Sequence, residues 1–195
     1  MNKLILLLLA VLTASCDSRS VAKLEEPAVV EPAQARLAFT RDLVSTINRS
    51  EKIIFTEHSF RGDLIGGAAN VYVVPDKIIY ETRELTSIQK AAFISAIEEM
   101  DATLQEAMSK EINIFGPAEA MAPCMFAPHH TITFVAQDRT LSTMEVSFVC
   151  GRVEWDAYKS GTPNAFAAML YKFVGFIGLH PDRDWEQLAK DTLVK

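Results

Sequence analysis

Apolar residues recur along this chain at two periods, and the switches between them mark out its elements. Leu37, Leu43, Val44 and Ile47 return at helical spacing and predict a first helix over residues 33–48. Residues 52–56 form a β-rich run, which predicts a strand bounded by loops at Phe60-Arg61-Gly62 and Gly66-Gly67. Residues 69–74 and 77–81 alternate on either side of Pro75-Asp76 and predict a hairpin or bent strand. Thr86 with Gln89 three positions later reads as a capping box, opening a helix with the stripe Ile88, Ala92, Phe93, Ile97, Met100 and Leu104. Glu98, Glu99, Asp101 and Glu106 fall mostly off that stripe and read as its solvated face.

Beyond a small-residue loop at 116–123, residues 131–137 and 141–150 alternate with period two, and 153–155 continue after Gly151. Thr162 as N-cap with Pro163 at the first helical position predicts a helix to about Val174, stopped by Gly175 and Gly178. Pro181-Asp182 opens a last short helix carrying Trp185 and Leu188. Grouped, alternating strands separated by helices imply an α+β fold: an antiparallel sheet of about four to five strands with helices packed on one face.

Register makes the 131–150 hairpin more specific, because directly opposed residues share a face. Pairing Phe134 with Met144 and Ile132 with Val146 keeps one face apolar and leaves Asp138-Arg139-Thr140 as the loop. Continued outward, this register sets His130 opposite Phe148 on the core face and Pro128 opposite Cys150, with Cys124 near enough to bend back onto it. His129 then points to the other, polar face with Thr131, Thr133, Thr143, Glu145 and Ser147, of which His129, Thr131, Glu145 and Ser147 are candidates for facing a ligand.

The N-terminus has a different character. A lysine at position 3 is followed by nine apolar residues, 4–12, and then by Thr13-Ala14-Ser15. Nine residues of helix rise about 14 Å, roughly half a hydrocarbon core, so the run reads as a signal peptide over 1–15 rather than a membrane span. Thr13-Ala14-Ser15-Cys16 resembles a bacterial lipobox, although Leu12 stands one place earlier than the usual leucine. The resemblance implies lipidation at Cys16, with Asp17 favouring retention at the inner membrane. Residues 16–35, with Pro27, Pro32 and Glu25-Glu26, read as a flexible tether reaching on the order of 25 Å, ahead of a single globular domain over 36–195.

A chain of 195 residues, 49% hydrophobic and 23% charged, has the make-up of one globular domain with appendages. Its net charge of −6 argues against nucleic acid as a partner, because no basic stripe is present to displace phosphate counterions.

Cys124 and Cys150 lie in the folded region behind an export signal, and oxidising compartments join such thiols. A bridge between them would contribute about 3.5 kcal/mol through loop entropy. The alternative is a metal site from Cys124, His129 or His130, and Cys150, but the spacing matches no zinc knuckle and neighbouring strand histidines point to opposite faces. Ser147 with His129 is conceivable as a nucleophile and base, yet no nucleophile elbow surrounds the serine. Arg61-Gly62-Asp63 is an adhesion tripeptide by letters only. The glycosylation pattern Asn48-Arg49-Ser50 is idle behind a bacterial-type signal, and His58 and His180 read as solvated loop residues.

Residues 124–132, Cys-Met-Phe-Ala-Pro-His-His-Thr-Ile, followed by 146–151, Val-Ser-Phe-Val-Cys-Gly, resemble a family of small exported bacterial proteins. In that family a cysteine precedes a Pro-x-His-x-Ile strand, and the next strand ends in Phe-x-Cys. The resemblance covers the last two thirds of the chain and implies a structural core without an established activity. Ser147 stands where many relatives carry a further cysteine. Together these readings lead to an exported, lipid-anchored cell-envelope protein facing the periplasm, with a non-enzymatic binding role toward an envelope protein or ligand and no cofactor. The alternative is an exported enzyme or metal-binding protein using Cys124, His129, His130 and Cys150.

Overall fold

The computed structural model describes residues 32–67, 76–109, 124–159 and 161–193. The predicted signal peptide, Cys16, most of the tether, the strand at 69–74 and the loop at 116–123 lie outside them. Helix α1 (Pro32–Arg49) leads into strand β1 (Lys52–His58), a short helix α2 (Arg61–Gly67) and strand β2 (Ile79–Glu84). Helix α3 (Ser87–Ser109) crosses to a meander of β3 (His130–Ala136), β4 (Arg139–Ser147) and β5 (Arg152–Trp155), and α4 (Asn164–Phe176) and α5 (Trp185–Leu193) close the chain. The five strands form one antiparallel sheet in the order β2-β1-β3-β4-β5, so the fold is α+β. No helix among the described residues is long and apolar enough to cross a membrane.

One sheet face carries the core. Ile53, Phe55, Ile132, Phe134, Met144, Val146, Val153 and Trp155 bury beneath Phe39, Leu43 and Ile47 of α1, Phe93 and Ile97 of α3, and Phe166, Leu170 and Phe173 of α4. Rings interlock there: Phe93 stacks on Phe173 at 4.7 Å, and Phe39 meets Phe166 edge-on at 5.0 Å. Such pairs add about 0.5–1.5 kcal/mol each beyond area burial. The opposite face is polar and partly exposed. One row across it runs Glu154, Glu145, Thr131, Thr56 and Thr82 through all five strands.

The helix ends show which local signals the chain obeys. At α3 the capping box forms: Thr86 Oγ1 accepts from Gln89 N–H at 3.2 Å, and Gln89 Oε1 accepts from Thr86 N–H at 3.0 Å. Ile88, placed on the apolar stripe by periodicity, is 78% exposed because it sits in the first turn, ahead of the contact with the sheet. At α4 the predicted start moves by one residue. Pro163 itself is the N-cap, and Thr162 Oγ1 donates to the carbonyl of Val153, tying the helix entry to β5 instead of capping it. The other end of α4 is a Schellman turn: Leu179 N–H reaches Val174 O, Gly178 N–H reaches Gly175 O, and Gly178 takes the left-handed φ of +83° this geometry requires. Helix α5 starts later than Pro181-Asp182, with Asp184 Oδ1 accepting from Gln187 N–H.

The β3–β4 register differs from the prediction by two residues. Ile132 opposes Met144 and His130 opposes Val146, while Gln137-Asp138, both at positive φ, form a two-residue turn. Such a turn matches the strand twist better than a three-residue loop of these residues would. By itself it would invert the faces. The register shift beside Phe134, where Leu141 falls between paired positions, restores them, so every side chain keeps its predicted face.

Candidate functional site

Cys124 and Cys150 are joined in a disulfide with Cα atoms 5.8 Å apart, tying the lead-in of β3 to the end of β4. Both sulfurs are thereby consumed, so Cys124, His130 and Cys150 do not form a thiolate metal site. Of the four residues expected to face a ligand, Thr131 and Glu145 lie half-exposed as direct partners on the open face. His129 and Ser147 are corrections to that expectation, because both are buried. Ser147 Oγ has no hydrogen-bond partner, so it does not pair with His129 as nucleophile and base.

The chain has four histidines, and all four gather where β1 ends and β3 begins. His58, read from sequence as solvated, is the last residue of β1 and is 1% exposed. Its Nδ1 lies 3.0 Å from the carbonyl of Ser59, which can only accept. The proton therefore sits on Nδ1, and Nε2 accepts from Thr131 Oγ1 at 2.8 Å. Burial pushes its pKa down to about 4, with Lys77 and the neighbouring imidazoles acting the same way against the Ser59 carbonyl. A base that weak leaves the Thr131 hydroxyl intact, so the pair is a hydrogen bond rather than an activated nucleophile.

Arg61-Gly62-Asp63 opens helix α2 instead of a loop. Asp63 faces inward: its Oδ2 accepts from Phe60 N–H at 2.8 Å and from His129 Nε2 at 2.9 Å. The ring of His129 stacks on Trp185 at 4.6 Å and meets Phe60 edge-on. Burial holds its pKa below the usual histidine value despite the pull of Asp63. The strand alternation behind the exposure expectation was sound, but it could not foresee α2 and α5 closing over this end of the sheet.

On the core-facing side, Glu57 is fully buried and sits in a row across three strands, directly opposite Glu81 of β2 and His130 of β3. His180, in the loop after α4, donates its N–H to Glu57 Oε1 and holds Nδ1 3.3 Å from the same oxygen. Arg183 Nη1 lies 3.3 Å from Oε2. Burial alone would raise the Glu57 pKa, but His130, the His180 N–H and Arg183 outweigh it and hold the carboxyl below its usual range. His130 lies on the core face as predicted, edge-on to Phe148 at 5.0 Å and to Trp185 at 5.5 Å.

Glu57, Asp63 and Arg183 were not singled out by the sequence reading. A signal for Glu57 exists: in Ile53-x-Phe55-x-Glu57 a carboxylate holds the core parity of an apolar alternation. Asp63 and Arg183 carry no comparable mark. Comparison with protein-family models, with curated proteins and with solved structures finds no match to this chain.

Proposed function

We propose that this chain is an exported cell-envelope protein, held to a bacterial membrane through a lipidated Cys16, whose domain works by binding a partner rather than by catalysis. The observation that carries the reading is the bond between Cys124 and Cys150, because structural disulfides persist in oxidising compartments and are rare in the cytosol. The leader at 1–15 and the proline-bearing tether support the same address. A binding role is supported by the half-exposed polar face, where Thr56, Thr131, Thr133, Thr143 and Glu145 lie together on three adjacent strands.

Fractionating cells that express the full chain tests this. The expected result is membrane association that Cys16→Ser abolishes, a mass lacking residues 1–15, and no free thiol at positions 124 and 150 without reductant. Recovery from the cytosol with an intact leader and two reactive thiols would overturn the proposal.

A further inference from the structure

Glu81, Glu57 and His130 stand side by side on β2, β1 and β3, facing the core side of the sheet, and His180 closes over them from the loop after α4. Carboxylate oxygens of Glu57 and Glu81 and a ring nitrogen of His180 all lie within 4.8 Å of one another. Like charges directly opposed on neighbouring strands repel, and here one of the two carboxylates has no contact with solvent. A second, independent feature points into the same place. His130 is 1% exposed, neither of its ring nitrogens has a hydrogen-bond partner, and Nε2 lies 3.9 Å from Glu57 Oε1, beyond hydrogen-bond reach. Buried polar groups without partners are costly, so an orphaned imidazole beside a carboxylate pair calls for an explanation.

We propose that Glu57, Glu81 and His180, bordered by the unpartnered ring of His130, form a binding site for a divalent transition-metal ion of the zinc type. Two carboxylates and an imidazole are a donor set that borderline dications take, and an ion among them would cancel the carboxylate repulsion and place a positive charge beside the unused ring nitrogens of His130. Guanidinium groups contact these donors in the structure: Arg183 touches both Glu57 and His180 Nδ1, and Arg83 touches Glu81. The side chains of Arg183 and Arg83 are 25% and 49% exposed, so both can swing into solvent when an ion takes their place. The site joins three strands to the segment between α4 and α5, and its occupation would fix that segment on the sheet.

Calorimetric titration of the full chain, purified in detergent, with Zn²⁺ alone is the test, alongside Co²⁺ absorption as a reporter of imidazole ligation. One ion per chain is expected, with His180→Ala and Glu81→Gln each weakening affinity at least tenfold, the size of effect seen when a metal site loses supporting groups. Both side chains are partly exposed, so the variants keep the fold, and matching melting temperatures in chelator establish that. Absence of saturable uptake, or uptake equally tight in both variants, would overturn the proposal.

Discussion

The middle of the sheet and its histidine end are buried to a similar degree and held by different physics. In the middle, Phe55, Ile132, Phe134 and Met144 belong to the apolar cluster built with α1, α3 and α4. At the end, Glu57, His58, His129 and His130 are buried polar groups, and partners of Glu57 and His129 come from far along the chain. Asp63 reaches His129 across 66 positions, and His180 reaches Glu57 across 123. Apolar burial is non-directional and scales with area, so many arrangements satisfy it. A buried imidazole or carboxylate needs a particular donor or acceptor at hydrogen-bond distance. The middle is therefore set by pattern and the end by specific meetings.

The contrast predicts graded responses. Phe93→Ala, which removes a ring packed on Phe173 and Phe55, should lower unfolding free energy by about 3–5 kcal/mol in denaturant titration. A loss near 1 kcal/mol would mean the core is far looser than its ring contacts imply.

Acid should act on the other region. His58 has a folded pKa of about 4 against an ordinary value of 6.5, so its neutral form is favoured on folding. That contribution is fully present above pH 6.5 and disappears as pH falls toward 4, a change on the order of 3 kcal/mol. His129, lowered by burial, adds in the same direction. The stability gap between the wild type and His58→Asn should accordingly narrow as pH drops from 7 to 4. A gap that stays constant would show that His58 titrates as an ordinary histidine.

Asp63→Ala strips the acceptor from both Phe60 N–H and His129, and should cost about 2 kcal/mol by thermal unfolding at neutral pH. An effect within a few tenths would place the α2 contact outside the stabilising structure. Smallest of all should be Ile88→Thr. Periodicity alone puts this residue in the core, but its exposure implies a change under about 0.5 kcal/mol. A core-sized loss would restore the periodic reading.

Some of this was legible in the chain. The capping box at Thr86 and Gln89 formed as read, because its two hydrogen bonds span only three residues. The β3–β4 faces were right while the pairing was off by two. Alternation specifies parity, but the turn at Gln137-Asp138 and the shift beside Phe134 are chosen by twist and packing. Of the candidate site, the core-facing His130 followed from strand parity, whereas buried His129 did not, since the groups that cover it belong to α2 and α5, nor did buried His58, which meets Thr131 from another strand.

The chain alone determined its α+β class, the helix and strand periods and the cysteines that join, because these rest on spacing and on side-chain chemistry carried by neighbouring residues. Tertiary structure alone decided that four histidines scattered from position 58 to 180 meet at one end of the sheet around Glu57 and Trp185. The physical reason is range: local periodicity extends a few residues, while hydrogen bonds between buried polar groups are settled only when distant elements dock.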